Sequence, residues 1–289
     1  MKSLGLALGG GGLKGLAHIG ILEILEDEHI PISQLSGSSA GSIFAALYAS
    51  GISAYEMEKL VLHEISIRDY LDYNFAGLIK GLLGFFLPAV PVTLDGLIKG
   101  NKLEKLIYDL TEGKSLLDSR IPLAIISCDI NTARKVIFTN QEIEEGSSVI
   151  IRNALLSEAV RCSTSIPATF VPRDFHGMQM VDGGIKDIVP VIEQKLMGAE
   201  YVLAVNLGQE TYQEKVSGII DIVSRTLNIL SYETSDTAEE FFADMIVYPG
   251  VEEVRLDELD KAGQIIRAGR RAMRKKVDEL KNELHLLQG

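Results

Sequence analysis

Twice within the first fifty residues an apolar segment runs through glycine into a helical pattern. SLGLAL at 3–8 leads through GGGG at 9–12 into a stretch ending near Ile30, in which Leu16, Ile19, Leu22 and Leu25 recur at helical spacing. PISQLSG at 31–37 leads through GSSAGS at 37–42 into a helix expected from Ala40 to about Ser50. Two strands, each followed directly by a helix, commit a chain to an α/β architecture, because parallel neighbours need a crossover and bury both faces of their sheet. Later segments continue the alternation. IPLAIISCDI at 121–130 and RKVIFTN at 134–140 read as a strand pair, MQMVDGG at 178–184 as a short strand entering a glycine turn, YVLAVNL at 201–207 as a buried strand, and MIVYPGV at 245–251 as a last strand. SVIIRNALLSEAVRCS at 148–163 and VSGIIDIVSRTLNILSY at 216–232 read as helices. The expected fold class is α/β, a three-layer sandwich around a mostly parallel sheet. Gly51 suits the position after the second helix, Ser53 and Glu56 form a capping box for the next, and Asn101 with Glu104 offers a similar start for a helix over KLEKLIYDL.

Charge and cysteine usage narrow the partners. The 289 residues carry 28 Lys plus Arg against 40 Asp plus Glu, a net charge of -12, which is the wrong sign for binding nucleic acid through its phosphates. Cys128 and Cys162 lie far apart and have no metal-ligand or disulfide spacing, so they read as buried reduced thiols of a cytoplasmic protein. The apolar run at the N-terminus is shorter than the core of about 7–15 residues of a signal peptide, and four glycines follow it. The most apolar later stretch, 77–92, is interrupted by Lys80, Pro88 and Pro91 and falls short of the roughly 20 residues of a membrane span.

The tail is read separately: residues 1–250 as the main domain and 251–289 as a helical extension packed on the domain or on a partner. Leu259, Ile266, Met273, Leu280 and Leu287 recur every seventh residue, with Leu256, Val277 and Leu284 at companion positions, and a long amphipathic helix is expected from about Asp257 to Leu287. Packing on its own domain and a homodimer contact both fit this pattern. The basic block Arg267, Arg270, Arg271, Arg274, Lys275 and Lys276 fits a solvated face or transient contact with anionic headgroups at the inner face of a membrane.

Two glycine loops and one aspartate carry the chemistry. Gly10, Gly12 and Gly15 satisfy the dinucleotide pattern, yet no acidic residue ends the second strand to hold a ribose, and no Gly-Lys-Ser or Gly-Lys-Thr follows for a phosphate loop. Glycines at a helix start can instead aim N–H groups at an oxyanion. GSSAG has the form G-x-S-x-G, with Gly37 and Gly41 around Ser39: a serine on a tight strand-to-helix turn, where large neighbours would clash. Its hydroxyl needs a base. Of His18, His29, His63, His176 and His285, only His285 follows the hydrolase order, and it sits in the charged tail; His176, oriented by Asp129, is a second option. Asp182 is the better one, because it ends a strand and enters Gly183 and Gly184, which allow close backbone approach.

The order GGGGLKG at 9–15, GSSAG at 37–41 and DGG at 182–184 resembles the patatin-like phospholipase family and, within it, the neuropathy target esterase type. AVRCSTSIPATFVP at 159–172 and Val189-Pro190 extend the likeness, which covers roughly residues 3–207. The resemblance implies a patatin-type three-layer α/β/α sandwich. It implies Ser39 as nucleophile, Asp182 as proton acceptor, Gly10, Gly11 and Gly12 as oxyanion donors, and a dyad without histidine. It implies hydrolysis of lipid-like acyl esters, of phospholipase A or lysophospholipase type, with no metal or other cofactor. Lys14 stands where many members have arginine, and Asp187 where an asparagine is often found, which adds a carboxylate near Asp182. The alternative is a lipid-binding or scaffolding module of the same fold without turnover. Residues 77–92, rich in Leu and Phe but broken by Gly and Pro, are expected to form either core or a flap over Ser39.

Overall fold

The computed structural model describes residues 2–65, 72–74, 95–208, 215–216, 218–251 and 258–285. The segment 77–92 and the positions of Leu256 and Leu287 lie outside the described residues. The central sheet follows the order β5-β4-β3-β2-β1-β8-β9, with β1 at Leu4–Leu8, β2 at Ile32–Ser38, β3 at Leu123–Asp129, β4 at Arg134–Thr139, β5 at Val149–Ile151, β8 at Tyr201–Val205 and β9 at Met245–Val247. Its pairs are parallel except β3 with β4, and a hairpin of β6 (Arg173–Phe175) and β7 (Met178–Asp182) adds to β3 in antiparallel sense.

Alternation along the strands sorts the two faces. Leu4, Leu6 and Leu8 point into the larger core with α1 (Ala17–Asp27), α2 (Ala40–Ser50) and α3 (Ala54–Lys59), whereas Ala7, Val202 and Ala204 meet a smaller layer of Ile188, Val189, Val191 and Tyr232. That second layer comes from α6 (Val191–Leu196), α7 (Ile219–Phe242) and the turn before them. Small residues on this face let α6 sit close: a Cβ on Gly5 would overlap the Gln194 side chain, whose amide donates to the Leu6 carbonyl at 2.9 Å.

Several expected boundaries stand. α2 starts after Ser39 and ends with Gly51 at φ 107, and Ser53 and Glu56 close the capping box of α3. Others shift. α4 (Asn101–Leu110) is capped from a distance: the Asp72 carboxylate accepts from the N–H groups of Gly100 at 2.7 Å and Asn101 at 3.0 Å, while the Asn101 side chain plays no cap role. The helix expected over 148–163 is β5 followed by α5 (Leu156–Ser163), because Val149–Ile151 finds an open edge on β4. The tail is two helices, α8 (Ala262–Arg274) and α9 (Val277–Glu283), parted at Lys275 and Lys276.

The members of the seven-residue series whose side chains are described, Ile266, Met273 and Leu280, are all closed off from solvent, as are Val277 and Leu284 at the companion positions. α8 crosses α1 with almost no gap. A Cβ on Gly269 would overlap the Ala17 carbonyl, and one on Gly20 the carbonyl of Ile266. Arg270, from the basic block, is drawn inward to Glu23, donating through Nη2 at 2.8 Å, and to Glu58 at 2.6 Å. Among the described residues, no helix is long and apolar enough to cross a membrane.

Candidate active site

β3 brings the two candidate side chains, Ser39 and Asp182, together. Its first half pairs with β2, ending at Ser38↔Ile126, and its second half on the same side pairs with β7, beginning at Ser127↔Asp182. β2 runs parallel to β3 and β7 antiparallel, so the two strands arrive head to head, and their C-terminal ends meet. Ser39 follows one end and Asp182 is the other. The Ser39 Oγ donates to Asp182 Oδ2 at 2.6 Å, and both residues are buried.

Ser39 is held at φ 50 and ψ -125, a conformation that costs a non-glycine residue about 1–3 kcal/mol and marks the sharp strand-to-helix turn. Its neighbours leave no room for relaxation: a Cβ on Gly41 would overlap the Leu8 carbonyl, and one on Gly37 the carbonyl of Gly41. A serine at a helix start ordinarily caps it. Here the hydroxyl makes no cap bond and faces the carboxylate instead.

Residues 163–165 fix both partners from one side. The Ser39 N–H donates to Ser163 Oγ at 2.9 Å, and the Asp182 N–H to the Ser165 carbonyl at 2.9 Å. Arg161, buried and making no ion pair among the described residues, donates to Ser165 Oγ at 2.5 Å and to the carbonyls of Lys99 and Val171. Asp182 Oδ1 accepts from the Gly184 N–H at 2.8 Å. Burial pushes the Asp182 carboxyl up to about 6, against the opposing pull of the Ser39 hydroxyl and the Gly184 N–H. A Cβ on Gly183 would overlap the Ile126 carbonyl, so glycine is needed where the chain turns away from the dyad.

The glycine loop departs from expectation at one position. The Gly10 N–H is occupied by the Ile188 carbonyl at 2.9 Å, whereas the N–H groups of Gly11 and Gly12 have no hydrogen-bond partner among the described residues. Gly10 instead allows close approach: a Cβ there would lie 3.0 Å from the Ser39 Cβ. Gly15 is likewise packed against Ala40. Gly11 and Gly12 have φ of 153 and 57. Lys14 donates to the Leu207 carbonyl at 3.0 Å, and buried His18 donates through Nε2 to the Gly9 carbonyl at 2.8 Å. Burial lowers the His18 imidazole to about 4, so it stays neutral.

No histidine hydrogen-bonds Ser39 or Asp182 among the described residues. His176 is exposed in the β6–β7 turn, stacked on Phe175 at 4.2 Å, and Asp129 is engaged by Thr132 and the N–H groups of Asn131 and Gln179. Asp187 turns away from Asp182 to Lys135, at 3.3 Å, in a cluster with Glu145 and Glu193; burial and then the Glu193 charge raise its carboxyl well above the ordinary range. Arg161, Ser163 and Ser165 lie within the segment 159–172, yet the likeness there assigns them no role, and His18 reads only as one of five histidines; each acts through a backbone group that no spacing rule names.

On its other side Ser39 opens into a cavity of about 180 Å³ between α2, α3, α4 and the π turn at 60–64. Leu13, Ile43, Phe44, Met57, Val61 and Ile107 are among its apolar walls.

The model of patatin-like phospholipases matches residues 6–193. Lysophospholipase NTE1 of Debaryomyces hansenii is 29% identical over 212 residues, covering 72% of this chain and 12% of that protein. Lysophospholipase NTE1 of Candida glabrata is 31% identical over 211 residues, covering 72% and 10%. The chain thus spans a small part of the length of these curated relatives. Among solved structures, VipD from Legionella pneumophila superposes with a TM-score of 0.54 at 14% identity, over 96% of this chain and 67% of that one, a likeness of fold alone.

Proposed function

Since the chain belongs to the patatin-like phospholipase family, we propose that it is a serine esterase cleaving acyl esters of lipids, with lysophospholipids and phospholipids as the substrate class. The observation that carries this reading is the 2.6 Å bond from Ser39 to a carboxylate lifted to about 6, at the mouth of an apolar cavity. An acyl chain lies in the cavity, with its ester carbonyl over Ser39. Asp182 takes the hydroxyl proton as Oγ attacks the carbonyl carbon, and its raised affinity for protons makes it a stronger base than an ordinary aspartate. The negative charge that develops on the carbonyl oxygen is met by the N–H groups of Gly11 and Gly12. Protonated Asp182 then gives its proton to the departing alcohol oxygen, leaving an acyl-serine. A water that loses its proton to Asp182 attacks that ester, the fatty acid leaves, and Ser39 regains the proton.

A fluorophosphonate probe tests the nucleophile. Labelling is expected on wild-type Ser39 and not on folded Ser39→Ala; a folded, unlabelled wild type would support the non-catalytic binding module. Mass analysis of products from a panel of phospholipids and lysophospholipids, with release of free fatty acid as the expected outcome, tests the substrate class.

A further inference from the structure

The peptides of the glycine loop differ in how they are held. The Gly9–Gly10 peptide is held at both ends, its carbonyl by His18 and its N–H by Ile188. The Gly10–Gly11 peptide is held at one end: the Tyr232 hydroxyl donates to the Gly10 carbonyl at 2.8 Å, and the other end is the unpartnered Gly11 N–H. The Gly11–Gly12 peptide is held the same way, the Lys14 N–H donating to the Gly11 carbonyl at 3.2 Å and the Gly12 N–H unpartnered. The geometry points to Tyr232 as a positioning residue for the oxyanion loop, acting on the Gly11 N–H through the peptide the two share. This rests on the esterase reading, and it adds a contribution from α7, which lies beyond the matched residues 6–193.

Two physical reasons support the role. A trans peptide is planar and its C=O and N–H point in opposite directions, so a donor that captures the carbonyl fixes where the N–H aims. Glycines on either side make rotation of that peptide cheap, and Gly11 sits at φ 153, where other residues are strained. A hydrogen bond to the carbonyl also polarises the peptide and strengthens the N–H as a donor. Tyr232 is well supported for the task. Its ring packs against the second layer with Ile188 and beside Gly208, where a Cβ would lie 2.8 Å from the ring. It approaches from the sheet face opposite the core that contains Phe44 and Leu47, so it holds the loop from behind without entering the acyl cavity.

Tyr232→Phe removes the hydroxyl and keeps the ring. On a p-nitrophenyl ester, kcat is expected to fall roughly tenfold with KM unchanged, as suits weakening of a donor used in the transition state. A merely structural role would leave kcat alone or move KM together with Tm. The second measurement is the amide resonance of Gly11 in the 15N-labelled protein, which is expected to shift in Tyr232→Phe while the Gly10 amide, bonded to Ile188, stays in place. An unchanged Gly11 resonance, or an unchanged kcat in an active enzyme, overturns the inference. A wild type that cleaves no ester and takes no probe, yet whose Gly11 amide shifts in the variant, fails the esterase reading and keeps the clamp.

Discussion

On one side of Ser39 lie a carboxylate, the Ser163 hydroxyl and two glycine turns; on the other lies a cavity walled by leucine, isoleucine, phenylalanine and methionine. On the polar side each group is oriented by another, and small displacements matter because hydrogen bonds weaken steeply with angle. On the apolar side contact is non-directional, and what counts is how much surface leaves water. On the proposed esterase reading, the polar side would set the rate of bond breaking and the apolar side which acyl chain is held.

The largest break in that division is Asp182→Asn, expected to lower kcat roughly a thousandfold on every ester, as fits the loss of a general base. Its stability effect has a definite sign. The folded carboxyl at about 6 holds its proton longer than the unfolded one at 3.8, so its contribution to stability falls as pH rises from 3.8 to about 6 and stays low above. The Tm difference, Asp182→Asn minus wild type, should grow across that window; a difference flat with pH would contradict the buried carboxylate. Next comes the wild-type pH profile: kcat/KM on a neutral short ester should climb about tenfold per unit below about pH 6 and level off above it, since only ionised Asp182 accepts the serine proton. A profile governed by a pKa of 4 or below would remove desolvation from the account.

Val61→Phe probes the other side. Val61 lines the cavity and is only partly buried, so a larger side chain narrows the space without forcing the core apart. At about 0.8 kcal/mol per methylene, shutting out two methylenes should cost roughly tenfold in kcat/KM on long acyl chains and leave a butyrate ester unaffected. Equal losses on both would mean the cavity is not where the chain goes. The smallest effect on chemistry is expected from Arg270→Met: kcat within about twofold, with stability reduced by about 1–3 kcal/mol because Glu23 loses the donor of its partly buried ion pair. Thermal melting beside initial rates separates the two readouts.

What could be read from the chain follows the same line. Ser39, Asp182 and the glycines stand in short windows where sterics dictate residue type, and the strands at 4–8 and 201–205 announce themselves as continuous apolar runs. Val149–Ile151 does not, since three apolar residues fit either period and only the open edge of β4 decides. The break at Lys275–Lys276 carries no glycine or proline, and the cap from Asp72 acts across 28 residues. Tyr232 is the extreme case, touching Gly10 from 222 residues away, and the engaged Gly10 N–H depends on a carbonyl that only the folded turn brings near.

The head-to-head meeting of β2 and β7 on β3 also has a consequence in time. Ser39, the proposed nucleophile, is synthesised 143 residues before Asp182, the proposed base. At roughly 5–20 residues per second, a nascent chain carries Ser39 for about 7–30 s with no proton acceptor in place. On the proposed esterase reading, the Ser39 hydroxyl is an ordinary alcohol until β7 docks, and ester cleavage waits for that strand.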